Sequence, residues 1–313
     1  MMSSMVMLRL FRPAAWAGSL GLFLFLFYAV LAPARAELVS GVAAFKGGDY
    51  AAAVEVFRPL AESGSAEAQY WLGRCYDGGF GLAEDPVQAF AWFQKAAEQG
   101  HAEAQRVVGI YYEEGKAVGQ SYKRASEWYR KASDSGNAKA QRNLAVLYHN
   151  GWGVRVDETR ALELYRSSAA QGNIKAKRNL AYMYYFGAGV GRDYEQAASL
   201  FAEAASAGLG KAEFDLGRLY YRGQGVEQDF AEAARLFQLA ARSGHPRAQV
   251  FLGRMYYRGE GLAIDYEKSF YWLSLAQAQE PEVANRFLKE VRSHLSKDAM
   301  ARLEAAVRAF KPS

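Results

Sequence analysis

Glycine returns every 36 residues, at positions 64, 100, 136, 172, 208 and 244, without an insertion or a deletion. In the frame this sets, residues 65–280, six copies stack residue type on residue type. The twelfth slot is always tyrosine (Tyr76, Tyr112, Tyr148, Tyr184, Tyr220, Tyr256) and the fifteenth always glycine (Gly79, Gly115, Gly151, Gly187, Gly223, Gly259). A period of roughly 20–50 residues marks a solenoid, because so short a unit buries its apolar face only by stacking on its neighbours.

One copy shows what the unit is. From Ile174 the residues Ala176, Leu180, Ala181, Met183 and Tyr184 recur at spacings of three and four, which puts them on one helix face. The helix should stop at the Gly187–Val190 turn, where glycine adopts the positive φ that a Cβ disfavours. Asp193 then opens a second helix by accepting bonds from its free N–H groups, and it runs through Ala197, Leu200, Phe201, Ala204 and Ala205 to Gly208. The capping slot reads Asp85, Ser121, Asp157, Asp193, Asp229 and Asp265, and Pro86 follows Asp85 where a missing N–H costs nothing. Two helices joined by a tight turn predict an all-α chain of six helix-turn-helix repeats.

The segments Leu216–Val226 and Phe237–His245 carry a Leu-Gly-x-x-Tyr…Gly-x-Gly-Val…Ala-Ala-x-x-Gly pattern that resembles the Sel-one-like repeat, a relative of the tetratricopeptide repeat. The resemblance covers 65–280, with Ala117 in place of the second turn glycine and Ser121 in place of the cap aspartate in repeat two. It implies a right-handed superhelical α-solenoid that binds other proteins. Residues 37–64, with Asp49 in the capping position, are expected to cap the N-terminal end. Residues 281–313 are expected to cap the other with two helices, Glu282–His294 and Lys297–Phe310.

Residues 1–36 have the order of a secretory signal peptide: Arg9 and Arg12, an apolar stretch ending at Leu31, then Ala34-Arg35-Ala36. The alternative is an uncleaved inner-membrane anchor, since the apolar run approaches the roughly 20 residues that span a bilayer. Either arrangement places the rest in the periplasm or outside the cell. Without Arg9, Arg12 and Arg35 the chain carries 35 basic against 33 acidic residues, so its basic character argues little for nucleic acid, and none is expected as a partner.

Nothing in the sequence assembles a catalytic site, and no cofactor or metal is expected. The histidines His101, His149, His245 and His294 are isolated; His101 and His245 occupy the first slot of a repeat, beside Ser65, Asn137 and Asn173 in other copies, and read as helix caps. His149 shares a surface-facing slot with Asp77 and Glu113. Cys75, the only cysteine, sits in an apolar slot and reads as a buried hydrophobe. The resemblance brings a β-lactamase-like hydrolase as a further alternative, but the family members so described carry paired cysteines in each repeat, which this chain lacks.

Slots that vary along the first helices are where specificity can reside. The tenth, thirteenth and fourteenth share a helix face. They change from small and acidic in the early repeats to Tyr182, Tyr185, Phe186, Arg218, Tyr221, Arg222, Arg254, Tyr257 and Arg258 in the last three. The third slot agrees, with Glu67 and Glu103 followed by Lys139, Lys175, Lys211 and Arg247. Tyrosine and arginine are enriched at binding hot spots. These nine residues are therefore the candidate lining of a concave groove for an acidic or extended segment of a protein partner, such as a membrane sensor or an envelope complex. The competing account packs the tyrosines between repeats. An acidic polysaccharide is the other ligand such a surface suits.

Overall fold

The computed structural model describes residues 35–312. The signal peptide expected at residues 1–36 lies outside them except for its last two positions. Among the described residues every regular element is helical and none is a strand, and no helix is long and apolar enough to cross a membrane. The chain forms two compact units divided between Val108 and Gly109.

The first unit contains α1 (residues 35–47), α2 (Tyr50–Glu62), α3 (Ala66–Gly78), α4 (Pro86–Glu98) and the start of α5 (Ala102–Glu114). Its core is built from Phe45, Val54, Phe57, Leu72 and Cys75. Asp49 caps α2, its carboxylate accepting the Ala52 N–H at 3.2 Å.

The second unit continues through α6 (Tyr122–Asp134), α7 (Ala138–Asn150), α8 (Glu158–Ala170), α9 (Ile174–Phe186), α10 (Tyr194–Ser206) and α11 (Gly210–Arg222). It closes with α12 (Phe230–Arg242), α13 (Pro246–Arg258), α14 (Tyr266–Ala276), α15 (Pro281–Val291) and α16 (Lys297–Ala309). Each repeat is a pair of antiparallel-connected helices, and the pairs bury leucine, alanine and aromatic side chains against one another. The expected C-terminal stretch to His294 tightens after Val291 into a single 3₁₀ turn, Arg292–His294, a common way for a helix to end. Ser296 caps α16 through the Ala299 N–H.

The invariant tyrosine earns its slot twice over. In α9 the Tyr184 carbonyl accepts the N–H of Asp193 at 2.9 Å, which places that aspartate to cap α10. Its hydroxyl accepts from the Arg166 guanidinium of the preceding repeat at 2.8 Å. All six cap residues of the second helices hold their bonds as the sequence predicts. The turn glycines set how closely repeats approach: a Cβ on Gly225 would stand 2.1 Å from the Tyr194 carbonyl oxygen. In repeat two the same slot holds Ala117, the only non-glycine residue with positive φ (58°) among the described residues.

Candidate functional site

The nine nominated residues fall near the C-terminal ends of α9, α11 and α13, and the structure gives them different work. Tyr182 belongs to a partly buried network. Its hydroxyl donates to Asp215 Oδ1 at 2.5 Å, while Arg178 Nε donates to Asp215 Oδ2 at 2.6 Å and Arg178 Nη2 to the Tyr182 hydroxyl at 3.1 Å. Asp215 is only 3% exposed. Burial raises its pKa, opposed by the Arg178 charge and the bonds from Tyr182 and Arg178. Burial and then the Asp215 charge push the Tyr182 hydroxyl above its ordinary value. Phe186 stacks on the outer side of Tyr182 with rings 9° apart and remains 67% exposed.

The thirteenth-slot tyrosines are pegs between repeats. Tyr185 donates to Gln224 at 3.1 Å and Tyr221 to Glu260 at 2.8 Å, each partner lying in the turn of the following repeat. Their rings lean on Tyr194 and Phe230, at 5.2 and 5.1 Å between centroids. Tyr257 contacts Tyr266 and Phe287, and its hydroxyl pKa is raised first by a bond to Glu290.

The arginines divide as well. Arg254 lies over Tyr221 and Phe251 at 5.0 and 4.7 Å, as a cation over aromatic faces. Arg258 reaches Glu260 at 3.4 Å and lies over Phe287 at 5.7 Å. Arg218 and Arg222 instead edge an open cleft of about 360 Å³, floored by Phe214, Val250, Phe251 and Val283. An Arg247–Glu280 ion pair at 3.2 Å closes its rim. The cleft thus pairs an apolar floor with a basic edge.

Sequence reasoning nominated two of the cleft residues and missed its floor. The signal lay in the sixth and seventh slots. Phe214 and Val250 stand where Arg106, Arg142 and Arg178 stand in earlier copies, and Phe251 where Asn143 and Asn179 stand. Loss of polarity in a slot that is polar elsewhere marks a face that gains an apolar contact.

Two of the four histidines cap helices: His101 Nδ1 accepts the Ala104 N–H at 3.0 Å and His245 Nδ1 the Ala248 N–H at 3.3 Å. His149 is exposed. Cys75 is fully buried, and burial pushes its thiol up to about 11. Among the described residues, no three His, Cys, Asp or Glu side chains gather as a group that could hold a metal ion.

The Sel1 repeat family model matches six times, at residues 66–101, 102–137, 138–173, 174–209, 210–245 and 246–279. Two solved structures share the arrangement. A Sel1 repeat protein from Oxalobacter formigenes is 30% identical with a TM-score of 0.73, over 78% of this chain and 98% of that one. The c5321 protective antigen of uropathogenic Escherichia coli, which displays an SLR fold, is 36% identical with a TM-score of 0.74 over 80% of this chain. The match spans 54% of the antigen's own length, about half of it. No curated protein matches the chain.

Proposed function

The chain belongs to the Sel1 repeat family, whose repeats generally serve as protein-interaction scaffolds rather than enzymes, and from that premise we propose a non-catalytic adaptor that holds an acidic, extended segment of a protein partner. The cleft edged by Arg218 and Arg222 carries this reading, because it offers an apolar floor for a side-chain anchor beside cations for carboxylates. Burying one such anchor contributes about 1.5–3 kcal/mol. A cleft already formed by packed helices also spares the cost of ordering a flexible binder. Tyr182, Tyr185 and Tyr221 fix each repeat on the next through bonds to Asp215, Gln224 and Glu260.

The leader-like residues 1–36 favour an exported protein working in the periplasm or secreted, with a membrane sensor domain or an envelope complex as the partner. The test is affinity capture from envelope extract on the wild type beside the Arg222→Glu/Val283→Asp variant. Both substituted side chains are at least partly exposed, so the melting temperature should hold within a few degrees. A protein retained by the wild type and lost from the variant supports the adaptor. Retention unchanged by the variant, or displacement only by an acidic polysaccharide, counts against it.

A further inference from the structure

A second cavity, of about 520 Å³, opens at the start of α11. Successive first helices bring Arg142, Lys175, Arg178 and Lys211 to its wall, with His245 beside them. Arg178 is paired with Asp215. Arg142 donates through Nη1 to the neutral side chain of Asn143 at 3.0 Å, and among the described residues its buried Nε has no hydrogen-bond partner. Lys175 and Lys211 are exposed, and neither forms an ion pair among the described residues. Glu213 lies behind Gly210, buried, with its pKa raised by that burial; among the described residues its Oε2 has no hydrogen-bond partner, and no ion pair joins it to these cations.

The backbone adds to the positive field. Of the six first helices, α11 begins on Leu209, which supplies no capping bond, and its opening residues Gly210 and Lys211 line the cavity. A helix start offers N–H donors and the positive end of the helix dipole. The cavity also adjoins the cleft already described. His245 stacks on Phe214 with centroids 4.5 Å apart, His245 being among the residues that line this cavity and Phe214 among those that line the cleft.

We propose that the α11 cavity takes a carboxylate of the same acidic peptide segment whose neighbouring apolar side chain enters the cleft. An extended chain advances about 3.5 Å per residue and spans the His245–Phe214 wall within a few positions. Three cations outside any ion pair among the described residues, a helix start without a side-chain cap and an adjacent apolar floor together select an acidic residue next to an apolar one. This inference rests on the scaffold reading and specifies its ligand.

The probe is a fluorescent, end-blocked hexapeptide of three glutamates, one phenylalanine and two alanines, titrated into the full-length chain by anisotropy. A version with glutamines for glutamates should bind about tenfold more weakly, and Lys175→Ala/Lys211→Ala should weaken the glutamate peptide by a similar factor. Leu209→Asp supplies the missing cap and places a negative charge in the cavity. It should raise or preserve the melting temperature while removing the preference for glutamate. The inference is overturned if the wild type binds neither peptide, or binds both equally. It is also overturned if inorganic phosphate or uronate oligomers displace the peptide at concentrations where acetate and free glutamate do as much. Should Arg222→Glu/Val283→Asp abolish binding while Lys175→Ala/Lys211→Ala leaves it intact, the scaffold stands and this cavity assignment falls; if neither variant matters, both fall.

Discussion

Tyr182 and Asp215, 33 positions apart, meet at 2.5 Å, hydroxyl to carboxylate, and Arg178 completes the contact from the opposite oxygen at 2.6 Å. This is a polar joint between repeats four and five, beside the Tyr185–Gln224 bond. Removing the carboxylate leaves a partly buried guanidinium without its partner, whereas removing the hydroxyl leaves the ion pair in place. Asp215→Ala should lose about 2–3 kcal/mol and Tyr182→Phe about 1 kcal/mol, read by urea denaturation. Equal losses would show that the ion pair adds nothing beyond the hydroxyl's bond.

The turn slot makes a paired prediction. Ala117 holds a left-handed conformation that costs a side-chain residue roughly 1–2 kcal/mol, partly offset by the extra freedom glycine would have when unfolded. Ala117→Gly should therefore stabilise by about 0.5 kcal/mol. Gly225→Ala meets both that strain and the Tyr194 carbonyl, and should destabilise by roughly 2 kcal/mol or more. Thermal melts of the two variants should move in opposite directions.

His245 should make stability depend on pH. Its pKa is lowered from the ordinary 6.5, first by burial and then by the charges of Arg178, Lys211 and Arg247. Its Nδ1 also accepts the Ala248 N–H. A folded-state pKa below the unfolded value favours the neutral ring, so this contribution is complete above pH 6.5 and is lost as pH falls through the folded value. Asn137 and Asn173 fill the same slot elsewhere, so His245→Asn should keep the cap and flatten the melting temperature between pH 7.5 and pH 5, conditions set by the ordinary histidine range of roughly 6–7. A slope identical to wild type would contradict the assignment.

Cys75 is fully buried with its thiol pushed up to about 11, so almost none is thiolate at neutral pH. Labelling by a soluble disulfide reagent should be negligible in the folded chain and rapid after denaturation. Fast labelling of the native protein would show that α3 opens from its core.

The helices and their caps were legible because they are local: a cap and the N–H it accepts lie two or three positions apart, and six copies repeat the signal. His101 and His245 could be assigned as caps only by comparing slots, since one histidine in isolation carries no such message. The tyrosine pegs were harder. Tyr185 and Tyr221 find their partners 39 positions away, beyond one repeat length, so the slot frame showed that they vary without showing what they touch. The cleft floor went unread because Phe214 and Phe251 look like ordinary core residues until α15 leaves room beside them. Asp215, a buried charge three positions before Arg218 on α11, has meaning only once Arg178 and Tyr182 are beside it.

The central claim is that a partner protein occupies the Arg222 cleft. A photo-crosslinking residue placed at position 222 in living cells, with one at exposed Glu163 on α8 as control, tests it most directly. The account predicts a protein adduct of defined mass from position 222 and none from 163. Adducts of equal yield at both positions, or none at 222, would contradict it.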